Sequence, residues 1–251
     1  MNIPYDPNAV EATALVSVRI LAFILIAPPF SHQFIPLQIK GMLAIVLALV
    51  ITPQAGQHYA ASTSGAFILD LVTEAVTGAV LGFLVYLVFS AIETAGALLD
   101  NSGGLQAAQQ YDPAADLNAA QFSRLFQMTA LALLFASDGY QLVLGGLVRS
   151  FTAIPLTVTV DWTAVARTLT DSVTQLLVAA LQIAGPIMAV LFVANSALGL
   201  LSRVAPALNA YSLGPPALAL LTVVLCGIGI VALPTVAQVL AERAVSAMGG
   251  G

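Results

Sequence analysis

Apolar residues follow one another along this chain in long stretches, and short polar connections separate the stretches. A helix needs about 20 apolar residues to cross a hydrocarbon core about 30 Å thick. The pattern therefore predicts an all-α, polytopic membrane protein, a single domain over residues 1–251 built of long, partly broken helical hairpins. About six apolar helical units are expected, over residues 12–30, 39–52, 67–99, 122–152, 173–201 and 213–240.

Prolines and small polar residues divide these stretches. The ends of the first two stretches carry Pro28, Pro29, Pro36 and Pro53, which predicts a helical hairpin. Ser137-Asp138-Gly139 and Gly185-Pro186 interrupt two later stretches, and we expect the helices to break there. As one helix the stretch 67–99 would be roughly 50 Å long, so it must tilt, break or project from a bilayer.

Composition supports a membrane protein and excludes several other classes. The chain is 59% hydrophobic and 8% charged, whereas soluble domains carry about a quarter charged residues. Its seven basic residues are spread singly, so no nucleic acid partner is expected. Three of them fall on each side of a six-span arrangement and Arg19 lies inside the first span, which leaves the membrane orientation unpredicted. Cys226 is the only cysteine, which excludes a disulfide or a thiolate cluster within the chain.

No pattern in the chain indicates an enzyme. His32 and His58 have no neighbouring His, Cys or acid at ligand spacing, so we expect neither a metal ion nor a cofactor. Serine-hydrolase, zinc-protease and phosphate-binding motifs are missing from the sequence. The sequence therefore predicts a protein without catalytic residues.

Carboxylates inside the apolar stretches need a partner, because hydrocarbon raises the free energy of a lone charge by several kcal/mol. Asp70 and Glu74 share a helix face, which suits either a proton relay or, as we favour, a helix start in interfacial water. Glu93 and Asp100 are seven residues apart and also share a face. Arg19 is the obvious unpaired cation, and we hypothesise an Arg19–Glu93 pair.

Two further segments are informative: one indicates close packing of helices, and the other is a long polar connection. Gly78 and Gly82 form a G-x-x-x-G pattern, at which another backbone could approach closely. The polar segment 100–121 is long for a connection between helices, and it needs water or protein around it. It is therefore either an ordinary solvent turn or a segment that lines or gates a channel.

Four ordered motifs resemble one known family. The most specific is N-S-A-L-G-L-L-S-R-V-A-P-A-L-N over 195–209, followed by S-L-G-P-P over 212–216. The others are A-P-P-F with a following I-P and Lys, a glycine-containing loop that ends in Asp-Pro, and an Asp-Gly pair. Together they resemble the FliR/SctT family of type III export gate proteins. The motif residues are Pro36, Lys40, Asp138, Gly139, Arg203, Pro206, Asn209, Gly214 and Pro216.

The resemblance implies a function as well as a fold. Members of the family assemble with FliP-like and FliQ-like subunits into a pore through which unfolded flagellar proteins leave the cytoplasm, beside FlhB-like and FlhA-like export proteins. Their bent hairpins need not cross the bilayer as ordinary spans do. The resemblance places the chain in the bacterial inner membrane, at the flagellar basal body. It also implies that the central loop contributes to a plug, with Gly103, Gly104, Leu105, Tyr111, Asp112 and Pro113 as candidates.

Two alternatives to the flagellar export gate stay open at this point. One is the corresponding subunit of an injectisome, which shares the motifs. The other is a small-solute transporter or channel subunit, since intramembrane acids and glycines would serve it equally well. A solute transporter would conduct without partners, whereas a gate subunit should be isolated with them.

Overall fold

The computed structural model describes residues 7–32, 35–56, 59, 64–104, 121–156, 160–204 and 210–248. All secondary-structure elements assigned within these ranges are helices, which confirms the all-α prediction. The helices are α1 (Pro7–Ile26), α2 (Leu37–Ala55), α3 (Ser64–Ser102), α4 (Gln121–Ala136), α5 (Gly139–Ala153), α6 (Trp162–Val204), α7 (Ala210–Gly229) and α8 (Leu233–Met248), with a 3₁₀ turn at Ile230–Ala232.

The helices have the length and composition of membrane spans. Four of them, α1, α2, α3 and α6, are long and apolar enough to cross a bilayer alone, and counting each bent pair as one span raises the number to six. Large apolar side chains also point outward, for example Val50, which is 71% exposed, and Phe192, which is 73% exposed. Such a surface is unfavourable in water, and it suits contact with lipid or with other helices in a membrane. The polytopic membrane prediction is therefore confirmed.

The described residues divide into two compact units. Unit 1 takes its residues from Met1–Val88, Asp138–Val173 and Leu240–Gly251, and unit 2 from Phe89–Ser137 and Thr174–Val239. Helices α3, α6 and α8 contribute residues to both units. That the chain forms a single domain stays a prediction.

Within unit 1, α1 and α2 pack as the predicted hairpin. The buried positions of α2 form one stripe, namely Lys40, Ala44, Ala48 and Ile51. Their spacing of three or four residues places them on one face of a helix, and the alanines allow a close approach. The opposite face of α2 is exposed and apolar, as Met42 and Leu49 show.

The G-x-x-x-G pattern of α3 also acts within unit 1. A Cβ at Gly78 would lie 2.1 Å from the carbonyl oxygen of Arg19, and one at Gly82 would lie 2.9 Å from that of Phe23. Only glycine leaves room for this contact. Both helices advance by four residues between the two contacts, so α1 and α3 run in the same direction here. The predicted close backbone approach is confirmed, and the neighbour is α1 of the same chain.

The helix breaks differ from the predicted ones at two places, and both places contain a proline. Helix α6 runs without a break through Gly185 and Pro186, because a long membrane helix tolerates one missing backbone hydrogen bond when its neighbours adjust. The stretch 213–240, predicted as one helix, is instead divided by the 3₁₀ turn before α8. Pro234 lies in the first turn of α8, where its missing N–H leaves no helical bond unmade.

The predicted break at Ser137-Asp138-Gly139 is confirmed. Helix α4 ends at Ala136 and α5 begins at Gly139. Between them Asp138 adopts the left-handed conformation, with φ of 55°. Aspartate is among the few residues other than glycine that visit this region readily, which gives the Asp-Gly pair a backbone role.

Candidate functional site

A buried arginine joins three helices of unit 1. The side chain of Arg19, in the middle of α1, has no exposed surface, and Glu74 of α3 is only 3% exposed. Arg19 donates through Nε to one carboxylate oxygen of Glu74 and through Nη2 to the other at 2.8 Å. This two-pronged geometry matches the planar guanidinium to the carboxylate and is the strongest form of the pair.

The remaining donors of Arg19 reach the C-terminal end of α5. Nη1 donates to the carbonyl oxygen of Ser150 at 3.2 Å, and Nη2 donates to that of Ile154 at 2.9 Å. The guanidinium carbon lies 4.3 Å from the centre of the Phe151 ring. A cation at a helix C-terminus is favourable because the last carbonyl groups carry partial negative charge. We call these five residues the arginine cluster.

The hypothesis that Arg19 pairs with Glu93 is therefore wrong. Glu74 takes that position because Gly78 brings α3 against Arg19, and Glu74 lies one turn before Gly78 on the same face. Extending the face of the G-x-x-x-G pattern by one turn would have identified the partner. The carboxylate of Glu93 instead accepts a hydrogen bond from Nε2 of Gln127 at 3.2 Å.

Unit 2 contains a second polar contact. It joins the end of α3, which precedes the predicted plug segment, to the start of α4, which follows it. Asp100, in the last turn of α3, is 3% exposed. Its two carboxylate oxygens accept hydrogen bonds from the backbone N–H groups of Phe122, at 2.9 Å, and Ser123, at 3.0 Å. Both groups belong to the first turn of α4, whose amides have no partner within their own helix. Asp100 thus acts as a cap supplied from the preceding helix.

Backbone packing accompanies this cap. A Cβ at Gly96 would lie 2.6 Å from the carbonyl oxygen of Phe122 and 2.6 Å from the backbone nitrogen of Ser123. The hydroxyl of Ser123 donates to the carbonyl oxygen of Glu93 at 3.2 Å. In these contacts, higher residue numbers on α3 are paired with lower residue numbers on α4, so the two helices are antiparallel. We call this contact the loop stem, formed by Glu93, Gly96 and Asp100 of α3 with Phe122, Ser123 and Gln127 of α4.

The chain that leaves α3 is held against α7, also within unit 2. A Cβ at Gly103 would lie 2.7 Å from the hydroxyl oxygen of the buried Thr222. Gly104 has φ of 71° and lies beside Pro215 and Leu218. The first position requires glycine for space and the second for its left-handed backbone.

The other motif residues lie apart from these two clusters or outside the described residues. Pro36 precedes α2, Lys40 is buried on α2, and Gly139 is the buried first residue of α5. Arg203 is exposed in the last turn of α6, and in α7 Gly214 is buried while Pro216 is exposed. The structure does not describe Leu105, Tyr111, Asp112, Pro113, Pro206 or Asn209.

Two remaining features limit the chemistry of the described residues. A cleft of about 400 Å³ in unit 1 is lined only by apolar side chains, which are Ile26, Ala75, Val76, Ala79, Val80, Phe83 and Leu169. In the described part of the chain, no three His, Cys, Asp or Glu residues come close enough together to hold a metal ion. The arginine cluster and the loop stem fix helix positions through their hydrogen bonds.

Comparisons with known proteins agree on one family. Residues 10–244 match the sequence model of the bacterial export proteins, family 1. The flagellar biosynthetic protein FliR of Escherichia coli K12 is 30% identical over 79% of this chain and 76% of its own. FliR of Caulobacter vibrioides is 28% identical over 88% and 91%. The Yop proteins translocation protein T of Yersinia pestis is 28% identical over 80% and 79%.

Proposed function

The chain belongs to the bacterial export proteins, family 1, and on that premise we propose that it is a subunit of the flagellar type III export gate. Its relatives are named for flagellar biosynthesis and for the translocation of Yop proteins, so it is a component of a type III export apparatus. The family match, which extends over almost the whole chain, is the observation that carries the proposal.

The proposed gate is an assembly with FliP-like and FliQ-like subunits, in contact with FlhB-like and FlhA-like export proteins. Its place is the bacterial inner membrane, at the flagellar basal body. The outward-facing apolar side chains of α2 and α6 support an assembly of this kind, because other helices in the membrane can pack against such faces. The proposed cargo is unfolded flagellar protein.

A passage for unfolded chains of any sequence needs few specific side-chain contacts, so its critical residues should set backbone positions. Both polar clusters of this protein do so, since they connect side chains to helix ends and carbonyl groups. We propose that the segment after α3 contributes to the plug that closes the passage. Gly103 and Gly104 are the described members of that segment.

Co-purification tests the proposal. The chain would be expressed with an affinity tag beside the FliP-like and FliQ-like proteins of the same genome, and isolated from membranes in mild detergent. We expect the three proteins to elute together as one complex. An unrelated polytopic membrane protein with the same tag serves as the control, since it should bring down neither partner.

A second measurement separates the flagellar gate from its alternatives. Deletion of the gene should abolish motility, and the intact gene on a plasmid should restore it. Loss of injected-protein secretion with normal motility would favour the injectisome. The similarity to the Yop translocation protein is consistent with that alternative. Solute flux through the purified chain alone, together with failure to bind either partner, would favour a transporter and overturn the proposal.

A further inference from the structure

The loop stem has an unusual cap. A helix start is ordinarily capped by the residue just before it, whose side chain accepts one amide N–H. Here the acceptor is Asp100, which lies 22 and 23 residues before the two amides it accepts from. Both of its oxygens are used, so the carboxylate fixes the direction of α4 as well as its distance from α3.

The surroundings make Asp100 hard to replace. It is almost fully buried, and a neutral cap with one acceptor oxygen would leave one of the two amides without a partner. A buried amide without a partner is destabilising. The backbones of α3 and α4 are also in close contact one turn away, at Gly96.

The position of this cap in the chain connects it to the predicted plug segment. The loop stem joins the two helices on either side of the predicted plug segment, because α3 ends at Ser102 and α4 begins at Gln121. Gly103, the residue that follows α3, packs in turn against Thr222 of α7. The distance between the two ends of the segment is therefore set by the Asp100 hydrogen bonds.

We propose that Asp100 is a positioning residue of the export gate, whose carboxylate holds the start of α4 on the end of α3 and so keeps the resting gate tight to small solutes. The proposal rests on the proposed function for its last step only. The bond between the two helices exists in the chain alone and can be tested there.

A cysteine at position 123 reports on the loop stem directly. Ser123 is buried, so Ser123→Cys in a Cys226→Ala background should react slowly with a maleimide in the purified full-length chain. Asp100→Ala removes both acceptors and should speed labelling about tenfold or more, since hydrogen bonds to charged groups are strong. Asp100→Asn keeps one acceptor and should give an intermediate rate.

The matched control is Ala130→Cys, which is buried further along α4, away from the loop stem. Its labelling rate should not change in either Asp100 variant. Equal acceleration at both positions would mean that α4 loosens as a whole, and it would overturn a local role for Asp100. Unchanged labelling at position 123 would overturn it as well. Asp100→Asn decides the matter if Asp100→Ala cannot be purified.

Permeability then connects the loop stem to the gate. In cells that express the complete set of gate subunits, uptake of a small hydrophilic dye should rise in the order wild type, Asp100→Asn, Asp100→Ala. Unchanged uptake in the presence of accelerated labelling would overturn the step from loop stem to gate. If the wild-type chain binds no gate subunit, the proposed function fails, while the labelling experiment still judges the cap.

Discussion

The arginine cluster supports the sharpest stability prediction. Glu74→Gln keeps the shape of the side chain but removes the charge that faces a fully buried guanidinium. Breaking a buried ion pair from one side costs roughly 3–5 kcal/mol. The two carbonyl oxygens and the Phe151 ring stay in contact with Arg19, so we expect a loss near the lower end, about 3 kcal/mol.

Arg19→Met should cost more, about 4–5 kcal/mol. It leaves Glu74 as a buried charge and removes the side-chain donor from the Ile154 carbonyl, whereas the Ser150 carbonyl still accepts from the backbone N–H of Ile154 at 2.8 Å. The double variant Arg19→Met with Glu74→Gln leaves no buried charge in the arginine cluster. Only neutral polar groups remain there, the Ile154 carbonyl and the glutamine amide at position 74, and each costs about 1–3 kcal/mol if it is left unpaired. The two substitutions should therefore be strongly non-additive.

Thermal unfolding of the purified protein in detergent, followed by circular dichroism, measures these differences. A loss of 3–5 kcal/mol corresponds to a fall in melting temperature of roughly 6–20 °C in a chain of this size. Asp171→Asn is the matched control, because Asp171 is an exposed carboxylate of α6 and its replacement should change nothing measurable. Additivity of the two substitutions within about 0.5 kcal/mol would refute the pairing.

Three other substitutions, the first with Gly41→Ala as its matched control, test the backbone geometry by the same unfolding measurement. Gly78→Ala should destabilise the protein by at least about 1–3 kcal/mol because its Cβ would overlap the Arg19 carbonyl. Gly41→Ala, whose Cβ would have nothing within 4 Å, should be neutral or stabilising. Equal effects of the two substitutions would contradict the contact. Gly104→Ala should cost about 1–2 kcal/mol from its left-handed backbone. Asp138→Gly should be neutral or slightly stabilising, and a clear loss would mean that the aspartate side chain has a role beyond its backbone conformation.

The sequence was sufficient to predict the helical membrane fold, because apolar stretches of spanning length have few other stable outcomes. The break at Asp138 was predictable for a local reason, since Asp-Gly favours a left-handed turn. The continuity of α6 through Pro186 was not. Whether a proline breaks a membrane helix depends on what the neighbouring helices supply, and that information is not local.

Partners across helices were the hardest part to predict. A buried Arg19 requires an acid, but Asp70, Glu74 and Glu93 were all available at the level of sequence. The choice depended on how far α3 slides along α1, and Gly78 decides this register by its contact with the Arg19 carbonyl. The role of Asp100 was hidden for a similar reason, since its partners are backbone amides 22 and 23 residues away and amides carry no sequence signal.

The polar side chains of this protein are better explained by position than by reactivity. Among the described residues, every buried side-chain nitrogen or oxygen has a hydrogen-bond partner, as an apolar surrounding demands. In both clusters these partners include backbone groups at a helix end. A charge that binds a helix end restrains a whole helix through one side chain, and in the proposed gate it would offer an exported chain no specific contact. Export should therefore be most sensitive to residues that set helix positions, such as Asp100 and Gly96, and least sensitive to exposed polar residues such as Asp171.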